Sequence, residues 1–588
     1  MPKTPRIPLG LKGLNTDIPS HSLPLEFFSG GNNMRPFNNA LQGVNSFASE
    51  STITFAVSGE SSAPTGIFDA AQFTPAGSVY YNIIALVKHA DNAFRVKAYS
   101  SDSGTANTQV AISDFTMTLA AAKSLVKDET LSQAGSSATA KVKYSTTNST
   151  TVRLYDVQNS FNTGSGNLSG TVSGALNTHP TAVVDETGGV AITLGYNTEF
   201  GTDMFVFNEC LILNSGTHKP LYLSSQGNRL AILDNWPADV TTGSTTEKLY
   251  SPKIAQFGGR LVALGLFGSS NIYNERSSVI FSSPITAIAS LAGVEWTVAS
   301  TNSTVDDIIT ESPGPVIDGG QLGDNFIVYK SDCVISYREV TSSPFILGRV
   351  IQTDDGMISS KCFADIGNNQ HIVFGNHNIY IHNGENQKQL VSKNKIEDAL
   401  YAEINRTKIG QCFVFRHELD RETYFCIPTT NHNGEGCNKA YVYAEETDSW
   451  YTRDLDNYTN IFTTEINGVV RMFGTKPTSV NLQELSTTAF VSGGTIEFTN
   501  NPLETSAITK TVTTAYPVCS GAVKIGLTST DNIGDSSSIT TKAFNPANDY
   551  KLSFRETGRY FDMKIEMNGT TNPEITGMEF NVNPRGAR

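Results

Sequence analysis

Apolar residues in this chain come in short runs of strand length, with polar residues gathered in the turns between them. Thr52-Ile-Thr-Phe-Ala-Val57, Val110-Ala-Ile-Ser-Asp-Phe115, Lys141-Val-Lys-Tyr144 and Thr151-Val-Arg-Leu-Tyr155 read as strands bounded by Gly, Ser and Asn clusters. The longest apolar runs, Tyr81-Asn-Ile-Ile-Ala-Leu-Val87 and Leu261-Val-Ala-Leu-Gly-Leu-Phe267, are also strand-sized. Neither approaches the roughly 20 residues that cross a bilayer, so no membrane-spanning segment is expected. The Ser/Thr/Gly-rich stretch from 130 to 180 is expected to form twisted exposed hairpins.

Between residues 250 and 480 one kind of unit recurs, a Gly-containing or polar turn beside an apolar strand. Examples are Gly258-Gly-Arg-Leu-Val-Ala-Leu-Gly265, Gly319-Gly-Gln-Leu-Gly-Asp-Asn-Phe-Ile-Val-Tyr329, His371–His382, Cys412–Arg416 with Thr423–Ile427, and Lys439–Tyr443. Their spacing, roughly 30 to 60 residues, brackets the blade repeat of a β-propeller. Two helices are expected. One runs over Thr118–Lys127. The other, Asn394–Asn405, places Ile396, Leu400 and Ile404 on a single face. The fold class is therefore mainly β: an irregular β-propeller core with appended β-rich parts and a few short helices.

Domain boundaries follow from composition. Residues 1–48 read as an extended arm, punctuated by prolines such as Pro8, Pro19, Pro24 and Pro36. Its Leu23, Leu25, Phe27 and Phe28 need a surface to lie on, such as a neighbouring subunit. Residues 49–215 form a variable β-rich part, 216–480 the propeller-like blades, and 481–588 a C-terminal β region closing or capping them.

Only 17% of the 588 residues are charged, against about 25% in ordinary domains. The net charge is −14, the opposite of the basic surplus with which proteins grip phosphates. A like-charged wall lets DNA pass without sticking. The seven cysteines are widely spaced and form no CxxC pair, so they are read as free thiols rather than a metal knuckle or disulfide framework. The first residues carry no apolar core of a secretory signal.

The search for chemistry returns structural readings. Adjacent carboxylates Asp306-Asp307, Asp354-Asp355 and Glu445-Glu446 point to opposite faces if they lie in strands. His371 and His382 end two strands of one hairpin whose turn holds His377, too far off for shared metal ligation. Cys426, His432 and Cys437 flank a loop and lack a fourth ligand. Ser100-Ser-Asp-Ser-Gly-Thr105 reads as a Ser/Gly turn. No GxSxG elbow, Walker loop, HExxH or EF-hand sequence occurs. No catalytic, cofactor-binding or metal residues are assigned, and no cofactor is expected.

Several segments, in order, resemble the nozzle, or tail tubular protein B, family of short-tailed bacteriophages. They begin with Gly13-Leu-Asn-Thr-Asp17, Leu23-Pro-Leu25 and Asn32-Asn-Met-Arg35. Ala231-Ile-Leu-Asp-Asn-Trp-Pro237, Leu261-Val-Ala-Leu264, Val279-Ile-Phe-Ser-Ser-Pro284, Gly314-Pro-Val-Ile-Asp-Gly-Gly320 and Ile327-Val-Tyr-Lys330 follow. Pro344-Phe345, Asp354-Asp-Gly356, Asn378–Gly384, Phe425-Cys-Ile-Pro428, Cys437-Asn-Lys-Ala440, Tyr443, Trp450, Arg453-Asp-Leu455 and Gly558-Arg-Tyr-Phe561 complete the series. Residues 50–210 show no such likeness.

The resemblance implies a virion tail protein, assembled in the host cytoplasm and not an enzyme. It implies a homo-hexameric ring below the head–tail adaptor, attached to tail fibres or spikes, through whose channel viral double-stranded DNA passes without sequence-specific binding. Channel-lining residues are not assigned, but acidic and neutral polar side chains are expected there. The alternative is a host-surface glycan-binding tail adhesin, with a polysaccharide depolymerase third.

Overall fold

The structure is a computed structural model. It describes all residues except 1–5, 57–61, 75–81, 102–107, 111, 113, 128, 144, 186–193, 226–229, 234, 243, 271, 286–290, 292–293, 300–302, 342–345, 386–387, 467, 504, 536–537, 569–571 and 587–588. Pro344-Phe345 and all but the first two residues of Ser100–Thr105 therefore lie outside the described residues. Among the described residues, strands account for 58% and helices for 3%.

Seven antiparallel sheets, among the described residues, form the blades of a propeller. Their innermost strands are Pro64–Phe73, Asp203–Phe207, Lys253–Phe257, Val316–Leu322, Phe363–Gly367, Phe413–His417 and Asn460–Ile466, defining blades 1 to 7. Neighbouring blades pack in that order, and the inner strand of blade 7 returns against that of blade 1. The fourth strand of blade 7 is Asn45–Thr54, paired antiparallel to Asn481–Phe490. An early segment of the chain thus closes the ring.

Continuous apolar runs suit this architecture because the two faces of a blade meet different neighbours. In blade 3, Leu261 and Ala263 join a core with blade 2, while Val262 and Leu264 join one with blade 4. In blade 1, Ile84 and Leu86 face blade 2, whereas Ile83, Ala85 and Val87 face blade 7.

Between blades 1 and 2 the chain builds a separate seven-stranded sheet from residues within Asp114–Asp185. It has its own core, including Met117, Leu131, Val142, Val152 and Leu154. The expected helix at Thr118–Lys127 is corrected here. Asp114–Leu125 is a strand, paired on both sides with Thr146–Gln158 and Pro180–Asp185. Local helix propensity in the Ala-rich run yields to these ladders. The ladder with Thr146–Gln158 shifts register between Thr118 and Lys123. The other helix forms as Glu397–Glu403, with Ile396, Leu400 and Ile404 all buried. Asp17 of the arm accepts the backbone N–H groups of Glu397 and Asp398 at its start.

Residues 495–586 form two five-stranded sheets that also incorporate early strands. Gly30–Asn32 pairs with Thr495–Asn501, and Ala40–Gly43 bridges to Ile575–Gly586. The arm therefore lies on its own chain, with Leu23, Leu25 and Phe28 buried. It ties this sandwich to Ser449–Tyr458, the outermost strand of blade 6. Gly13 sits at φ +85°, where a Cβ would fall 2.6 Å from the Trp450 carbonyl oxygen, so this approach requires glycine. The ring takes in Asn45–Thr54 and strands from Pro64 to Phe490, so blades 1 and 2 begin before the boundary expected at residue 216.

Candidate functional site

Inner strands of a propeller converge on one axis, and here charged residues in or just before five of them come together. Asp69 of blade 1 accepts hydrogen bonds from Asn460 Nδ2 of blade 7 at 2.7 Å and from Thr202 Oγ1 before blade 2. Lys361, entering blade 5, reaches the same carboxylate at 2.9 Å. Lys253 of blade 3 pairs with Asp203 of blade 2 and lies 3.4 Å from Asp318 of blade 4. Asp318 also accepts the Lys361 backbone N–H at 2.7 Å. Blades 1 and 5 are not neighbours, so the Lys361–Asp69 pair spans the axis.

The side chains of Asp69, Asp203, Lys253 and Asp318 are 2–7% exposed. Burial works against the Lys253 ammonium, but the two carboxylates more than reverse this and raise its pKa. Burial is also the main force raising Asp318, opposed by Lys253 and reinforced by Asp203. The ionic groups therefore satisfy one another and close this end of the axis.

Toward the other ends of the inner strands lies a cavity of about 530 Å³, lined by blades 2 to 5. Phe205, Gln256, Gly319, Gly320, Gln321 and Asp365 contribute to its wall. Its rim is low. In blades 2 to 5 the first two strands are joined by two-residue turns, Asn208-Glu209, Gly258-Gly259, Gly323-Asp324 and Asn368-Asn369. Both residues have positive φ in three of these turns, as tight hairpins of matching twist require.

His371 and His382 are cross-strand partners in blade 5, and both meet Tyr329 of blade 4. The Gly384 N–H donates to His382 Nδ1 at 3.1 Å, leaving Nε2–H to donate to the Tyr329 oxygen at 2.8 Å. The Tyr329 hydroxyl donates to His371 Nδ1 at 2.7 Å, and His371 Nε2–H donates to the Gln321 carbonyl at 3.1 Å. Each donor has one acceptor when both rings are neutral. Burial pushes His371 down to about 4 and His382 down to about 3.

The unfolded chain binds these protons near pH 6.5, before the folded chain does. Stability is therefore expected to hold above pH 6.5 and to decline as pH falls toward about 4. His371 alone contributes on the order of 3 kcal/mol to that loss. Urea unfolding followed across this range checks it; Tyr329→Phe should lower stability at neutral pH by about 1–3 kcal/mol, because it takes the hydroxyl from two buried ring nitrogens, His371 Nδ1 and His382 Nε2.

His377 stands apart from this pair, 3.9 Å from Asp355. Cys426 and Cys437 are buried thiols pushed upward by burial, and Cys437 donates to the Gln411 carbonyl. The carboxylate pairs are engaged elsewhere. Asp307 accepts from Tyr337, Asp354 pairs with Lys388, Asp355 accepts the Asn376 N–H, and Glu445 pairs with Arg416.

One cluster had no signal in the sequence. His417, Asp420 and Glu422 bring ligand-type atoms within 4.8 Å of one another. Arg35 of the arm lies there, 2.9 Å from Asp420 and 2.8 Å from Glu422. The cation at this position is thus a guanidinium supplied from far away in the chain.

No family model matches the chain, and no curated protein matches its sequence. Among solved structures, it is similar to an apocarotenoid oxygenase from Synechocystis, at 7% identity and a TM-score of 0.27, covering 65% of this chain and 89% of that one. AztD from Citrobacter koseri gives 8% identity and a TM-score of 0.24, covering 78% and 100%. An ancestral GH74 enzyme gives 10% and 0.25, covering 78% and 68%. Likenesses this low carry no argument about activity, and the propeller is read from its own strand order. Among the described residues, no helix is long and apolar enough to cross a membrane.

Proposed function

We propose that this chain is a structural subunit of a short-tailed phage tail, six copies forming a nozzle ring below the head–tail adaptor, where fibres or spikes attach. It acts in the virion without a catalytic role. The observation that supports this reading is that segments with the family resemblance meet in space although they lie far apart in sequence. Gly13 packs on Trp450, and Asn33 and Asp454 exchange hydrogen bonds of 2.7 and 2.8 Å. These contacts form a seam between arm, blade 6 and sandwich, which suits a load-bearing subunit.

In this reading DNA runs between copies, because the Lys361–Asp69 pair closes the propeller's own axis. A ring subunit needs a heterologous interface that closes by rotation. Electron microscopy of the purified chain, alone and mixed with tail-less particles, tests the proposal. The expected result is a six-fold ring with a bore on the order of 20 Å, wide enough for duplex DNA. A compact monomer that never joins the particle, or a trimeric spike, would overturn it.

A further inference from the structure

We infer that the cavity at the open end of the propeller axis is a binding site for a neutral, hydroxyl-rich ligand of the saccharide class. This inference stands on the single chain and does not depend on ring formation. The cavity's volume, about 530 Å³, falls within the range of small-molecule sites. Four successive blades supply its wall, and their two-residue turns leave the mouth accessible.

The lining chemistry selects the class. Among the described residues lining the cavity, Asp365 is the one that carries charge. Arg416 lies beside it, donating to the Asp365 carbonyl at 3.4 Å, but its guanidinium is held by Glu445, so an anionic ligand would meet a carboxylate and no free counter-charge. A divalent cation needs several oxygen ligands, and a single carboxylate from one blade does not supply them. An apolar ligand would bury the amides of Gln256 and Gln321 and the carboxylate without partners, which is costly.

A sugar meets each of these groups. Its hydroxyls donate to the carboxylate and both donate to and accept from the amides. Its C–H face packs on Phe205, which is half-buried. Asp365 already takes the Gly367 N–H at 2.7 Å, and the Gln321 amide donates to the Gly323 carbonyl at 3.1 Å. Both groups are thereby oriented before any ligand arrives. Asp365, Gln256 and Gln321 are all exposed, so changing them leaves the cores between blades intact.

The test is saturation-transfer NMR on the unassembled chain with D-glucose, D-galactose, N-acetyl-D-glucosamine and their β-linked disaccharides at millimolar concentration. At least one is expected to bind, and Asp365→Asn and Gln256→Ala should each weaken it about tenfold or more. Phe205→Ala should abolish it, with circular dichroism confirming the fold of every variant. No binding across the panel overturns the inference, as does binding unchanged in Asp365→Asn and Gln256→Ala. Failure leaves the ring reading untouched, because that reading is scored by assembly.

Discussion

Removing residues 1–54 is expected to abolish soluble, folded protein, although most of the blades remain. The lost segment includes the outer strand of blade 7 and the early strands of both sandwich sheets. Ile53, which is lost, is buried in the core shared by blades 7 and 1, and a buried side chain of this size stabilises by about 1.5–3 kcal/mol. Arg471 binds Glu50 and Glu484 together across the same seam. Without the segment, the edge of Asn481–Phe490 and the floor of the sandwich are open to other chains. Soluble yield, size-exclusion profile and circular dichroism of the truncated chain check this, and co-expression of residues 1–56 should restore part of the yield. A truncated chain with native elution and spectrum would show that the early strands are dispensable.

Lys253→Met should cost about 3–5 kcal/mol, the usual loss when one partner of a buried ion pair is removed. It leaves the Asp203 and Asp318 carboxylates facing each other with no cation between them. Lys361→Met should cost less, because that side chain is 23% exposed and water partly replaces it. Adding Asp203→Asn and Asp318→Asn to Lys253→Met should recover much of the loss, since neutral amides do not repel. Urea midpoints of the single and triple variants decide the matter. A Lys253→Met chain as stable as the parent would mean that the axis is held by packing alone.

What the sequence makes legible follows from how local each signal is. Ile396, Leu400 and Ile404 announce a helix because their spacing alone defines the buried face. Leu261–Phe267 announces a strand because every position is apolar. The Thr118–Lys127 segment misleads because its fate is set by two partner strands that local propensity does not register. Blades 1 and 2 are hidden because the separate sheet between them breaks the repeat, and the closing strand of blade 7 comes from the opposite end of the chain. The axial cluster is harder still. Asp69, Asp203, Lys253, Asp318, Lys361 and Asn460 sit one to a blade, and no motif joins them until the ring closes. Tyr329 and Arg35 stand out only as members of a strand and of an arm segment, and nothing local ties them to His371 and His382 or to Glu422.

The placement of Asn45–Thr54 in the last blade sets a timetable for synthesis. A ribosome adds about 5–20 residues each second, so the chain takes on the order of a minute to complete. For most of that time the early strands have been made and their partners, Asn481–Phe490 and Ile575–Gly586, have not. The nascent chain must carry those unpaired edges until these partner strands emerge from the exit tunnel. Blades 1 to 6 have what they need to form during translation, whereas ring closure waits for Asn481–Phe490. Stalled or prematurely terminated products would therefore carry open edges, and quality-control proteases would meet them in that form.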